Sequence, residues 1–185
     1  MPDHASSASP VVDDGVSETV PDSGAVKRRS NSWRGSSGQQ AGATQLRVRA
    51  LQLLTRRDYS RAELKSKLAG HAESAEELDT VLETLQSERL LSDQRYAAQR
   101  VVARGGRYGN ARLQQELRQK GVGDEDIATV LPEAGDETER CRAIWAKKFG
   151  RPPESAEERA KQMRFLQYRG FSGEAIRRVM RGADQ

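Results

Sequence analysis

Between residues 44 and 182 the apolar positions of this chain return every three or four residues, the spacing of one buried helix face. Leu46, Ala50, Leu53 and Leu54 form the first stripe, and Leu78, Val81, Leu82 and Leu85 show the pattern most fully. Polar punctuation separates the stripes. Ser60, Ser74 and Ser155 are followed three residues later by Glu63, Glu77 and Glu158, the arrangement in which a serine caps a helix start. Gly121 and Gly170 stand where a helix should stop, and Pro152-Pro153 mark a connection. The spacing predicts helices over 44–57, 60–70 and 74–88, then 92–105, 109–120 and 123–133, then 136–149, 155–169 and 172–182.

These nine segments are three copies of one unit, related by an offset of 49 residues. Leu68, Leu117 and Leu166 coincide, as do Leu78, Ile127 and Ile176, then Val81, Val130 and Val179, then Leu82, Leu131 and Met180. Gly121 and Gly170 share a column in which the first copy has Ala72, and Gln162 breaks the column of Leu64 and Leu113. The expected fold is therefore all-α: three tandem three-helix repeats over 44–91, 92–134 and 135–185, forming an elongated, curved helical array. Leu117, Ile127, Leu166 and Ile176 are expected in the core.

Composition agrees with helix. Of the chain, 35% is hydrophobic, 31% charged and 5% aromatic, too few aromatic and β-branched runs for a sheet protein. Residues 1–43, rich in Ser, Pro, Gly and Asp, are expected to be a disordered tail. The tail carries a short basic cluster, Lys27-Arg28-Arg29, which reads as a solvated linker or a nucleic-acid-touching arm. Its start is no signal peptide, no apolar run reaches the ~20 residues of a membrane span, and Cys141 is the single cysteine. A reducing cytoplasm is the expected compartment.

Charge changes the picture more. Net charge is +4, but its distribution follows the repeat. Seven bases face two acids over 46–68, seven face one over 95–120, and seven face one over 159–181. Residues 73–88 and 124–139 hold six and seven acids and no base. Sign segregation of this kind suggests a binding surface. Arg100, Arg104 and Arg107 are spaced as one helix face that could meet phosphates or carboxylates. Tyr96, Tyr108, Trp145, Phe149, Phe165, Tyr168 and Phe171 are expected to pack rather than stack on bases.

Enzyme chemistry finds no support. His4 and His71 belong to no metal-ligand pattern, Cys141 has no histidine base near it, and Gly105-Gly106-Arg107-Tyr108-Gly109 reads as a helix–helix turn. No catalytic residue, cofactor or metal is expected.

Residues 44–182 resemble the RecX family, regulators of the RecA recombinase. The resemblance rests on four stretches in order: Leu51-Gln52-Leu53-Leu54-Thr55-Arg56-Arg57-Asp58-Tyr59-Ser60-Arg61-Ala62-Glu63-Leu64, then Leu90-Leu91-Ser92-Asp93-Gln94-Arg95-Tyr96-Ala97, then Arg112-Leu113-Gln114-Gln115-Glu116-Leu117, then Arg164-Phe165-Leu166-Gln167-Tyr168-Arg169-Gly170-Phe171-Ser172. It implies a curved molecule, expected as a monomer, lodged in the groove of the RecA–single-stranded-DNA filament. There it would inhibit strand exchange, ATP hydrolysis and the co-protease role behind the SOS response. Filament or DNA contacts are expected from Arg56, Arg57, Arg61, Arg95, Arg100, Arg104, Arg107, Arg112, Lys147, Lys148, Arg164 and Arg169. Direct binding to nucleic acid, or docking of the acidic helices on a basic protein, are the other readings.

Overall fold

The computed structural model describes residues 33–183. Among them are nine α-helices and no strand: α1 Trp33–Leu54, α2 Arg61–Leu68, α3 Ala75–Ser87, α4 Asp93–Gly105, α5 Asn110–Gln119, α6 Asp124–Val130, α7 Glu137–Lys148, α8 Ala156–Tyr168 and α9 Gly173–Ala183. Short 3-10 turns over Ala69–His71 and Leu131–Ala134 extend α2 and α6. The expected tail overlaps α1, because helix continues back to Trp33 through residues with no apolar stripe to announce it. The cluster Lys27-Arg28-Arg29 lies outside the described residues.

Helix starts follow local chemistry. Ser60, Ser74, Ser92, Asp136 and Ser155 each accept a hydrogen bond from the backbone N–H three residues on, satisfying a donor that the first turn leaves free. Ends follow too. The N–H groups of Gly121 and Val122 reach back to Arg118 and Leu117 carbonyls, those of Gly170 and Phe171 to Gln167 and Leu166. This closure needs a left-handed residue, and Gly121 and Gly170 supply it at φ 77° and 82°. Helix α3 closes the same way through Arg89, at φ 60°, a conformation that a side chain makes costly.

The buried apolar residues form three clusters, one per unit. Leu46, Leu64, Leu68, Leu82 and Leu85 anchor the first. Tyr96, Val101, Leu117, Ile127 and Val130 make the second, and Cys141, Leu166, Phe171, Ile176 and Met180 the third. The four residues expected in the core are all buried. Gln162, the odd member of its column, is buried as well and accepts from the indole N–H of Trp145 at 2.7 Å.

Candidate functional site

With three separate cores, hydrogen bonds at helix ends link one unit to the next. The middle helices α8, α5 and α2 stand head to tail. At the junction of units 2 and 3 the carbonyls of Arg169 and Gly170, at the end of α8, accept from the N–H groups of Gly109 (2.9 Å) and Ala111 (3.1 Å) at the start of α5. At the junction of units 1 and 2 the Lys120 carbonyl ending α5 accepts from Ser60 Oγ at the start of α2 (2.6 Å). One further N–H at each start goes to a carboxylate of the next unit: Arg61 N to Asp93 Oδ1 at 2.6 Å and Asn110 N to Glu137 Oε1 at 2.7 Å. Free donors of one helix meet free acceptors of the next.

Side-chain charge distinguishes the junctions. Around α2 most cations are answered. Lys120 Nζ lies 2.9 Å from Glu63, and Arg57 lies 3.4 Å from the same carboxylate while stacking on Tyr59. Burial disfavours the charged form of Glu63, but the Lys120 hydrogen bond and charge, then Arg57, outweigh it and hold its pKa below the ordinary carboxylate value. Arg61 pairs with Asp79 at 3.2 Å, and Arg95 with Asp58 at 2.9 Å while also bonding the Arg89 and Leu90 carbonyls.

Around Tyr108 only Arg104 is answered, while Arg112 and Arg169 have no carboxylate. The positions of Glu63 and Lys120 are taken here, 49 residues on, by Arg112 and Arg169. The guanidiniums of Arg104, Arg169 and Arg112 lie 4.9, 5.8 and 5.9 Å from the Tyr108 ring centre. The nearby carboxylate Glu116 is shared between Arg100 (2.8 Å) and Arg104 (3.0 Å). Arg140 clamps the turn by donating to the carbonyls of Gly105 (3.0 Å) and Tyr108 (2.8 Å) and to Asn110 Oδ1. Burial lowers its pKa, opposed by Glu137 and Asp136.

Beside this turn a cavity of about 410 Å³ is lined by Gly106, Arg107, Ile144, Lys147, Lys148, Phe165 and Arg169. Four of the sequence-predicted residues, Arg107, Lys147, Lys148 and Arg169, thus come together in one place. Arg112 and Arg104 line a smaller cavity with Gln115, Glu116 and Gln119. Arg56 and Arg164 are exposed elsewhere.

Two expectations need correction. Arg107 does not share a helix face with Arg100 and Arg104, because α4 ends at Gly105 and Arg107 belongs to the turn. Tyr168 does not pack, being 79% exposed on α8. Sequence reasoning also missed Arg140, whose role depends on carbonyls 30 or more residues away and has no local signal. Cys141 is buried, and burial pushes its thiol up to about 11, so it stays protonated and inert at neutral pH. No group with metal-ligand composition and no helix long and apolar enough to cross a membrane occurs among the described residues.

Known proteins share this architecture. The three three-helix domain models of RecX match in order, the first over residues 47–85, the second over 92–131 and the third over 135–180. The regulatory protein RecX of Ralstonia pickettii is 48% identical over 141 residues, covering 76% of this chain and 89% of its own. That of Leptothrix cholodnii is 45% identical over 140 residues, covering 75% and 89%, and that of Neisseria gonorrhoeae 38% over 138 residues, covering 75% and 90%. The crystal structure of RecX from Lactobacillus salivarius superposes with a TM-score of 0.69 at 19% identity, covering 78% of this chain and 98% of that one. Three matching units in the same order, with relatives this similar over nearly their full length, place the chain in the RecX family of regulatory proteins.

Proposed function

We propose that this protein binds the RecA filament on single-stranded DNA in the cytoplasm and inhibits it, lowering strand exchange, ATP hydrolysis and the co-protease activity that drives the SOS response. It acts as a monomer, by binding and without catalysis. The observation that carries the reading is the contrast between junctions. Arg57, Arg61, Arg95 and Lys120 around α2 are spent on the protein's own carboxylates, whereas Arg107, Arg112, Lys147, Lys148 and Arg169 have no carboxylate partner among the described residues, and the first four of them are exposed. Family membership supplies the direction of the reading, and a nucleoprotein groove offers the phosphates and carboxylates such a surface needs.

The test is RecA's DNA-dependent ATPase, with this protein titrated far below one copy per RecA. Loss of activity at such ratios supports action on the filament. Loss only at concentrations that coat the DNA favours simple competition for nucleic acid, the second reading, to which the same cationic face gives some support. Reversing Arg112 and Arg107 together to Glu should weaken inhibition without changing helicity. Full inhibition by that variant removes the face from the filament contact.

A further inference from the structure

The cavity between units 2 and 3 has a more specific chemistry than a basic surface. Its lining contributes four cations from three segments: Arg107 from the turn after α4, Lys147 and Lys148 from the last turn of α7, and Arg169 from the end of α8. No carboxylate lines it. The two lysines alone have a mundane explanation, since cations complement the negative end of a helix. That does not account for Arg107 and Arg169 converging on them.

Arg169 is also held in place. Its guanidinium lies 5.8 Å from the Tyr108 ring centre and 5.1 Å from that of Phe165, and its Nη1 donates to the Arg107 carbonyl at 3.2 Å. Phe165 is fixed in turn by an edge-on contact with Phe149, centroids 5.4 Å apart. A fork so anchored has little freedom left to lose on binding. Phe165 and Ile144 add an apolar wall, and the volume falls in the range of small-ligand sites.

We propose that this cavity binds the phosphate of a nucleotide, with Arg169 as the oriented fork, Arg107, Lys147 and Lys148 as surrounding charge, and Phe165 with Ile144 against the sugar or base. A strand phosphodiester and a free nucleotide share this chemistry. A carboxylate-rich peptide would satisfy the cations but leave the aromatic wall unused. The proposal rests on the same cations as the recombinase reading and deepens it by assigning them one ligand chemistry, and it is tested with no recombinase present.

The experiment measures anisotropy of a labelled oligothymidine, and separately of a labelled ATP, with the full-length protein between 50 and 200 mM salt, and a labelled polyglutamate serves as the carboxylate probe. Lys147→Ala/Lys148→Ala is compared with wild type, with the charge-matched control Arg49→Ala/Arg177→Ala, and with Arg169→Lys, which keeps the charge and loses the fork. Melting curves verify that each variant folds. Losing two strand phosphates removes about 1.4 from the salt slope, so the double variant's affinity should fall about sevenfold less across that range than wild type's, the control remaining unchanged. A loss confined to ATP binding also upholds the site and identifies a free nucleotide as its source. Equal behaviour of the double variant and the control in both assays overturns the proposal. So does loss of polyglutamate binding with both nucleotide responses intact, which would give the cavity to protein carboxylates. If the double variant loses nucleotide yet still inhibits the RecA ATPase fully, the site stands and the filament contact lies elsewhere.

Discussion

The two junctions between units have the same backbone plan and opposite electrostatics. In each, one middle helix ends on the start of another, and a carboxylate from the following unit closes the remaining N–H. Junction 1–2 then adds a compensated charge set centred on Glu63 and Asp58. Junction 2–3 replaces Glu63 by Arg112 and gathers cations around Tyr108. Since both assemble, ion pairs are not what holds units together. What the two share is hydrogen bonding at the helix ends, backbone to backbone at Gly109 and Ala111 and through Ser60 Oγ and Asp93 at the first junction, which leaves side chains at the second junction available for an outside anion.

Breaking the backbone pairing should have the largest effect. Gly109 has an ordinary φ of −78°, but a Cβ there would fall 2.2 Å from the Gly170 carbonyl oxygen. Gly109→Ala should therefore cost about 3 kcal/mol or more in urea unfolding, and should raise labelling of Cys141, which reports opening of the third core. At Gly121 the added Cβ meets Ala62 Cβ at 2.4 Å, a side chain rather than backbone. Gly121→Ala should thus recover partly in an Ala62→Gly background, with the positive φ cost remaining.

Charge changes come next. Glu63→Gln should cost about 1 kcal/mol at neutral pH. The sign follows from its lowered pKa: the carboxylate's contribution is present above its ordinary unfolded value near 4.5 and is lost as pH falls below it. Acid titration of the variant should therefore show a shallower stability decline than wild type below pH 4.5. A parallel decline would show that Lys120 and Arg57 do not stabilise the carboxylate. Arg112→Glu imports the first junction's charge into the second, beside Arg169. A stability gain of about 0.5 kcal/mol is expected, together with weaker binding to anions. A last change of similar size tests the turn that closes α3. Arg89→Gly should relieve a left-handed side chain and stabilise by about 0.5–1 kcal/mol in thermal melts.

Most of the fold was legible because it is written in local signals. Serine caps, glycine stops and the apolar columns of Leu117 and Ile127 act within a few residues, and repetition at an offset of 49 triples each signal. Helix α1 ran further toward the N-terminus than expected because Gly35, Ser36 and Ser37 carry no helical stripe. The site was legible only as a collection of bases. Which ones converge depends on the junctions, and nothing near Lys147 in sequence announces Arg107. Arg61, Arg95 and Arg100 looked equivalent to them, yet Asp79, Asp58 and Glu116 take them up across gaps of 16 to 37 residues. Gln162 was visible as an anomaly, but its reason, the indole of Trp145, was not.

The helix row also has a polarity. Each unit receives the end of the next at the start of its own middle helix, so the open receiving position in this chain is the start of α8. There α8 begins earlier than its counterparts, running 13 residues against 10 in α5 and 8 in α2. The residue aligned with Gly109 is Glu158, already inside the first turn, and Ser155, Glu154 and Arg151 satisfy that turn locally. The start of α8 thus differs in kind from the starts of α2 and α5: its capping box already fills the first turn, like a socket sold with its plug in place.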